Sequence, residues 1–157
     1  MTAVIHRLNV SEGGTPKRPI EVGLVAQAGL VGDCQAKSAI HGGPARALSL
    51  FPLEHIESLA AAGHPIEPGT VGENVTTHGL DWTVVVPGAQ LRLGEEVIIR
   101  ITSYAAPCST IAGAFSNGDV NTLNHRVAPG WSRVYAEVLR EGRVRPGDAI
   151  TIAARAT

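Results

Sequence analysis

Apolar positions along the chain come in short runs cut by glycine and proline, and their spacing is mostly that of strands. Met1 to Val10 (MTAVIHRLNV) and Glu21 to Gln27 (EVGLVAQ) alternate in part, with a loop of Ser, Gly, Pro and Lys between them. Arg46 to Phe51 (RALSLF) predicts a further strand. At Pro52 the period changes: Leu53, Ile56, Leu59 and Ala60 fall three and four residues apart, Pro52 suits a first helical turn, and Gly63 suits a stop. This predicts one helix longer than two turns, with Leu53, Ile56 and Leu59 facing a core.

Beyond it, GENVTTHGL, TVVV, AQLRLG and EEVIIRITS are short and rich in β-branched residues, with Pro87-Gly88 and Gly94 between them, and predict antiparallel strands. Ser109 to Phe115 and Val120 to Val127 carry helical spacing over short lengths and predict helical turns. WSRVYAEVLREG places Val134, Ala136 and Val138 on one face, and VRPGDAITIAA follows as a last strand after a Pro146-Gly147-Asp148 turn. Seven or more short strands and one helix predict an all-β fold, either a β-barrel or a strongly curved double sheet. Closure would remove exposed strand edges.

Composition sharpens this picture. A chain of 157 residues, 44% hydrophobic and 17% charged, predicts a single domain over residues 1–157, and its 18 Gly and 10 Pro favour turns over long helices. The formal net charge of -1 gives no global field for nucleic acid or an acidic membrane, so any anion site must be local. No apolar run reaches the length of a bilayer span. Two cysteines, with no secretory leader at the N-terminus, predict free thiols in a cytoplasmic protein.

Of those thiols, Cys108 follows Pro107 in SYAAPCSTIAG and precedes a helical turn, where backbone N–H groups would favour the thiolate. Such a thiolate could carry a persulfide or attack an electrophile; a small buried packing residue is the competing reading. Cys34 in LVGDCQAKSAIHGG has His41 seven residues on, but no Cys or His pair at zinc-ligand spacing accompanies them, so no metal clamp is predicted. In IHGGPARAL, Gly42 and Gly43 would let backbone approach a ligand while Arg46 offers a planar fork for oxyanions; a tight turn is the plain alternative. Glu73 and Asn74 in GTVGENV and Arg133 at a strand start add polar candidates.

Taken in order, VGD (Val31 to Asp33), HGGPARAL (His41 to Leu48), GENVTTHGLDW (Gly72 to Trp82), PGAQLRLG (Pro87 to Gly94), SYAAPCSTI (Ser103 to Ile111) and GWSRVYAEVLREGRVRPGD (Gly130 to Asp148) resemble a stand-alone MOSC domain. That family is named after the C-terminal domain of molybdenum-cofactor sulfurases. The resemblance implies a barrel-like β fold, a sulfur-bearing cysteine at Cys108, and a link to molybdopterin-type cofactors. It makes Lys37, His41, Gly42, Gly43, Arg46, Glu73, Asn74 and Arg133 the candidates for a small anionic ligand, with Asp33 and Cys34 as auxiliary residues. Where relatives carry His, or Arg then Gln, after the Gly-Asp pair, this chain has Cys34 and Gln35. The aminotransferase-like domain of full sulfurases is missing, and neither Lys17 nor Lys37 lies in the setting of a pyridoxal phosphate lysine, so a cysteine desulfurase is the implied sulfur donor. Two functions compete: sulfur transfer through Cys108, or a binding module for a molybdopterin- or purine-like ligand. Some relatives also suggest a part in detoxifying N-hydroxylated compounds.

Overall fold

The computed structural model describes residues 2–34 and 43–157. The strands are β1 (Val4–Val10), β2 (Arg18–Ile20), β3 (Gly23–Ala26), β4 (Gly29–Leu30), β5 (Leu48–Pro52), β6 (Val75–His78), β7 (Gln90–Leu93), β8 (Val97–Tyr104), β9 (Val134–Arg140), β10 (Gly142–Val144) and β11 (Ile150–Ala154). Eight of them form one sheet in the order β11-β7-β8-β9-β5-β6-β1-β2, and β10-β3-β4 form a small second one. Within β8 the alternation is clean: Val97, Ile99 and Ile101 are buried while Arg100 is exposed.

Among the described residues one α-helix interrupts the strands, α1 (Leu53–Ala61), entered from Pro52 and ended by Ala62 with Gly63 at φ 99°. Its place follows from β5 and β6 being parallel, since a parallel pair needs a crossover connection rather than a tight turn. Ile56 and Leu59 are buried as the spacing predicts, and Leu53 packs at the edge of the same cluster. Ser109–Ala114 and Val120–Leu123 form the expected short turns, both 3₁₀.

Two expectations are corrected. TVVV is no strand: Trp82–Val84 form a 3₁₀ turn, because the Asp81 carboxylate accepts the Thr83 N–H and closes the chain on itself. The large sheet is also not a closed barrel. Along the edge of β1 left unpaired by β6, Ile5 bonds Asp148 and Gly147, and a single bridge joins Val4 to Ala149. No ladder extends from that bridge among the described residues, so the sheet is not closed.

Two apolar clusters result. One fills the curve of the sheet, from Ile5, Leu8, Leu48 and Leu50 to Leu91, Ile99 and Val134. The other lies under α1 and the 3₁₀ turns and holds Phe51, Ile56, Leu59, Val71, Ile111 and Phe115. Strand β5 serves both, which is why all five of its residues are buried. Replacing Ile56 by Ala in the second cluster should cost about 2–5 kcal/mol in a urea titration. A loss under about 0.5 kcal/mol would show that the helix does not carry this cluster.

Candidate functional site

Strand register decides where the site lies. Leu8, Val75, Leu50, Val134 and Tyr104 are successive cross-strand partners and form one row over five strands. On one side of this row β1 runs on through Asn9 and β6 is entered from Glu73 and Asn74; on the other side β9 is entered from Arg133 and β8 leaves towards Cys108. The Ala105 N–H donates to the Arg133 carbonyl at 2.9 Å, and the Asn74 N–H donates to Ser49 O at 2.9 Å. The Arg133 side chain links the two sides, donating from Nη1 to Val71 O in the segment that leads to Glu73 and Asn74.

Asn74 is the tie at this end. Its Oδ1 accepts the Ser49 N–H at 3.0 Å, while its Nδ2 donates to Asn9 O at 3.3 Å and to Asp33 Oδ2 at 2.9 Å. Asp33 in turn accepts the Ser11 N–H at 2.9 Å and pairs with Lys17 Nζ at 2.5 Å, both side chains being only 7% exposed. The loop from Ser11 to Lys17 is therefore fastened to the site from above: Lys17 N–H donates to Gly69 O, and the Thr15 hydroxyl donates to Thr110 O at 3.0 Å. Gly69 must be glycine for this, since its φ is 86° and a Cβ would sit 2.4 Å from Lys17 O.

Below that loop lie two buried charges. Glu73 is fully buried; Oε2 accepts the Gly69 N–H at 3.0 Å and the Thr76 hydroxyl at 2.9 Å, and Oε1 has no partner. Burial pushes its carboxyl above the usual glutamate range, against those hydrogen bonds and the charge of Arg133. Arg133 is 8% exposed and donates from Nη1 to Val71 O at 2.9 Å and from Nη2 to Ala106 O at 3.4 Å, leaving Nε unpartnered. Burial lowers its affinity for the proton, and the negative forms of Tyr135, Cys108 and Glu73 act in the opposite sense. Arginine keeps its charge in proteins, so this guanidinium is a fixed cation beside the cysteine.

Cys108 itself is half-buried, at the start of the 3₁₀ turn Ser109–Ala114. The expected helix N-terminus does not act on it: the turn is short, and the sulfur makes no capping bond to its N–H groups. A hydroxyl does instead, with Thr110 Oγ1 2.7 Å from Sγ.

The other predicted residues fall in three groups. Lys37, His41 and Gly42 lie outside the described residues. Gly43 (φ 98°) opens a 3₁₀ turn, Pro44–Arg46, where a strand was expected to begin, and the Arg46 guanidinium lies 5.3 Å from the centre of the Tyr135 ring. A cavity of about 280 Å³ adjoins this turn, lined by Gln27, Ala28, Gly43 and Pro44. Glu73, Asn74 and Arg133, expected to meet a ligand, are instead buried and bonded to the protein, because their loops close over them. Cys34 is exposed, with its N–H bonded to Ser11 O.

Sequence reasoning missed Lys17, Thr15 and Thr110. Lys17 carries no local signal, since its partner Asp33 is sixteen residues away. Thr110 had one: a hydroxyl two residues after a cysteine at a turn start can fold back onto it.

Residues 37–151 match the MOSC domain, and the chain belongs to that family. It is 30% identical to the uncharacterized protein YflK of Bacillus subtilis over 146 residues, 92% of this chain and 65% of that one. Against Protein YiiM of Escherichia coli the identity is 31% over 138 residues, 84% of this chain and 59% of the other. The chain thus spans about three-fifths of the length of these curated relatives. A crystal structure of a hypothetical protein superimposes with a TM-score of 0.78 at 26% identity, covering 100% of this chain and 70% of that one. Among the described residues no helix is long and apolar enough to cross a membrane, and no group of three or more His, Cys, Asp or Glu is placed to hold a metal ion.

Two measurements test the buried groups. Asp33→Ala strands the Lys17 ammonium in the interior and should cost about 3–5 kcal/mol of stability in denaturant unfolding; a loss under about 1 kcal/mol would count against the tie. For Glu73 the folded protein holds a proton that the unfolded chain loses near the ordinary glutamate value of 4.5. Stability therefore falls as pH rises from that value towards the raised folded one. Glu73→Gln removes this penalty, so its stability relative to the native protein should climb as pH rises above about 4.5. A flat difference would mean that Glu73 is ionised in place.

Proposed function

We propose that this MOSC domain handles sulfur through Cys108, taking a sulfane sulfur as a persulfide and passing it to an acceptor. The observation that carries the reading is a half-buried cysteine beside a buried, permanently charged guanidinium. A thiolate is the nucleophile of sulfur exchange, and a fixed cation at low dielectric favours it over the thiol. The Cys108 thiolate attacks the terminal sulfur of a donor persulfide; a new S–S bond forms, and the donor leaves as its thiolate. A cysteine desulfurase is the donor we infer.

The ligand we infer is a small anion, with Arg46 and the backbone at Gly43 as its contacts beside the cavity. The cofactor we infer is a molybdopterin-type group, which Cys108 would hold, its thiolate being a soft donor of the kind a sulfur-bound metal takes. When bound, such a group would supply the metal centre to which sulfur is delivered. We further infer one domain with a barrel-type ancestry, working in the cytoplasm.

Incubation with a cysteine desulfurase and cysteine should add sulfur to the intact mass of the native protein and none to that of Cys108→Ala. If both masses stay unchanged while Cys108→Ala still binds a pterin or purine, the domain is a binding module and the thiol is packing.

A further inference from the structure

The reading above uses the Cys108 thiolate twice, as nucleophile on loading and as leaving group on release, and in both states the sulfur is negative and needs a donor. Cys108 makes no side-chain capping bond to the turn that follows it. The guanidinium of Arg133 gives charge, but its two terminal nitrogens bond Val71 O and Ala106 O. Thr110 Oγ1 stands 2.7 Å from Sγ, and once the sulfur has lost its proton only the hydroxyl has one to share.

That hydroxyl is not loosely placed. The Thr110 carbonyl accepts from Thr15 Oγ1 at 3.0 Å, and Thr15 belongs to the loop anchored by the Lys17–Asp33 pair. The Ile111 side chain is buried in the cluster under α1, and its N–H bonds Cys108 O at 3.2 Å. The residue that follows Thr110 and the carbonyl of Thr110 itself are thus both fixed, which sets the hydroxyl over the sulfur.

Resting on the sulfur-transfer reading, we propose that Thr110 is a catalytic residue, its hydroxyl donating a hydrogen bond to Cys108 Sγ and stabilising the thiolate in both half-reactions. On release, an acceptor nucleophile attacks the terminal sulfur of the persulfide. The acceptor–sulfur bond forms, the Sγ–S bond breaks, and the electron pair returns to Sγ under the Thr110 hydroxyl. Nothing is oxidised or reduced beyond the movement of one sulfane sulfur, and Thr110 keeps its proton.

The test compares the native protein with Thr110→Val, which keeps the shape without the donor, and Thr110→Ser, which keeps the donor. Thr110 is exposed, so neither change touches the core; matched thermal unfolding confirms that both variants fold. Two rates are read: iodoacetamide alkylation of Cys108 against pH, and thiocyanate release when cyanide attacks the loaded persulfide. A hydrogen bond to a charged group is worth enough to change a rate about tenfold or more. Thr110→Val should therefore release thiocyanate about tenfold more slowly and alkylate only at higher pH, and Thr110→Ser should restore both. Superimposable alkylation profiles for native and Val proteins, or a Ser variant as slow as Val, would overturn the assignment. If native Cys108 takes up no sulfur while the Val profile still shifts, the transfer reading fails and Thr110 remains the donor to the thiolate.

Discussion

Parallel strands cannot be joined by a tight turn, and in this protein the parallel pairing of β5 with β6 is the constraint from which the site follows. The chain must leave β5, cross over as α1, and return to the starting end of the sheet before β6 begins. That return is the segment ending in Gly69 to Asn74. Asn74 then locks the pairing, since it bonds Ser49 through both backbone and side chain. A slip of one residue would turn Asn74 away from Ser49, Asn9 and Asp33 together, and would turn the apolar side chains of β6 to the wrong face.

The polar interior beside this pairing is incompletely satisfied. Glu73 Oε1 and Arg133 Nε have no partner among the described residues, although both side chains are buried. An apolar pair of similar volume would cost less to bury. What the charges give in return is a fixed field at the cysteine: Arg133 cannot turn towards solvent, because Val71 O and Ala106 O hold it. A surface arginine would deliver far less, since water would screen it.

The strands, the helix start at Pro52 and the stop at Gly63 were legible because each is written in local spacing and turn residues. TVVV read as a strand because β-branched residues dominate it, and a single carboxylate two residues upstream of its first threonine, that of Asp81, decided otherwise. The order of motifs placed Cys108, Arg133 and Glu73 in one neighbourhood. Their burial was not legible, since it depends on loops closing from elsewhere in the chain. Lys17 was the hardest to find: a lysine between two prolines looks like a solvated loop residue, and only the fold reveals Asp33 beside it.

The match to the MOSC domain begins at residue 37. The unit that holds together physically begins earlier. Asn9 offers the carbonyl to which Asn74 donates, Thr15 grips the turn carrying Thr110, and Lys17 neutralises Asp33. A fragment cut at that residue would keep the cysteine, the arginine and the glutamate, yet lose the clamps that Asn9, Thr15, Lys17 and Asp33 supply. The boundary of the family match and the boundary drawn by hydrogen bonds differ by β1 to β4 and the loops between them.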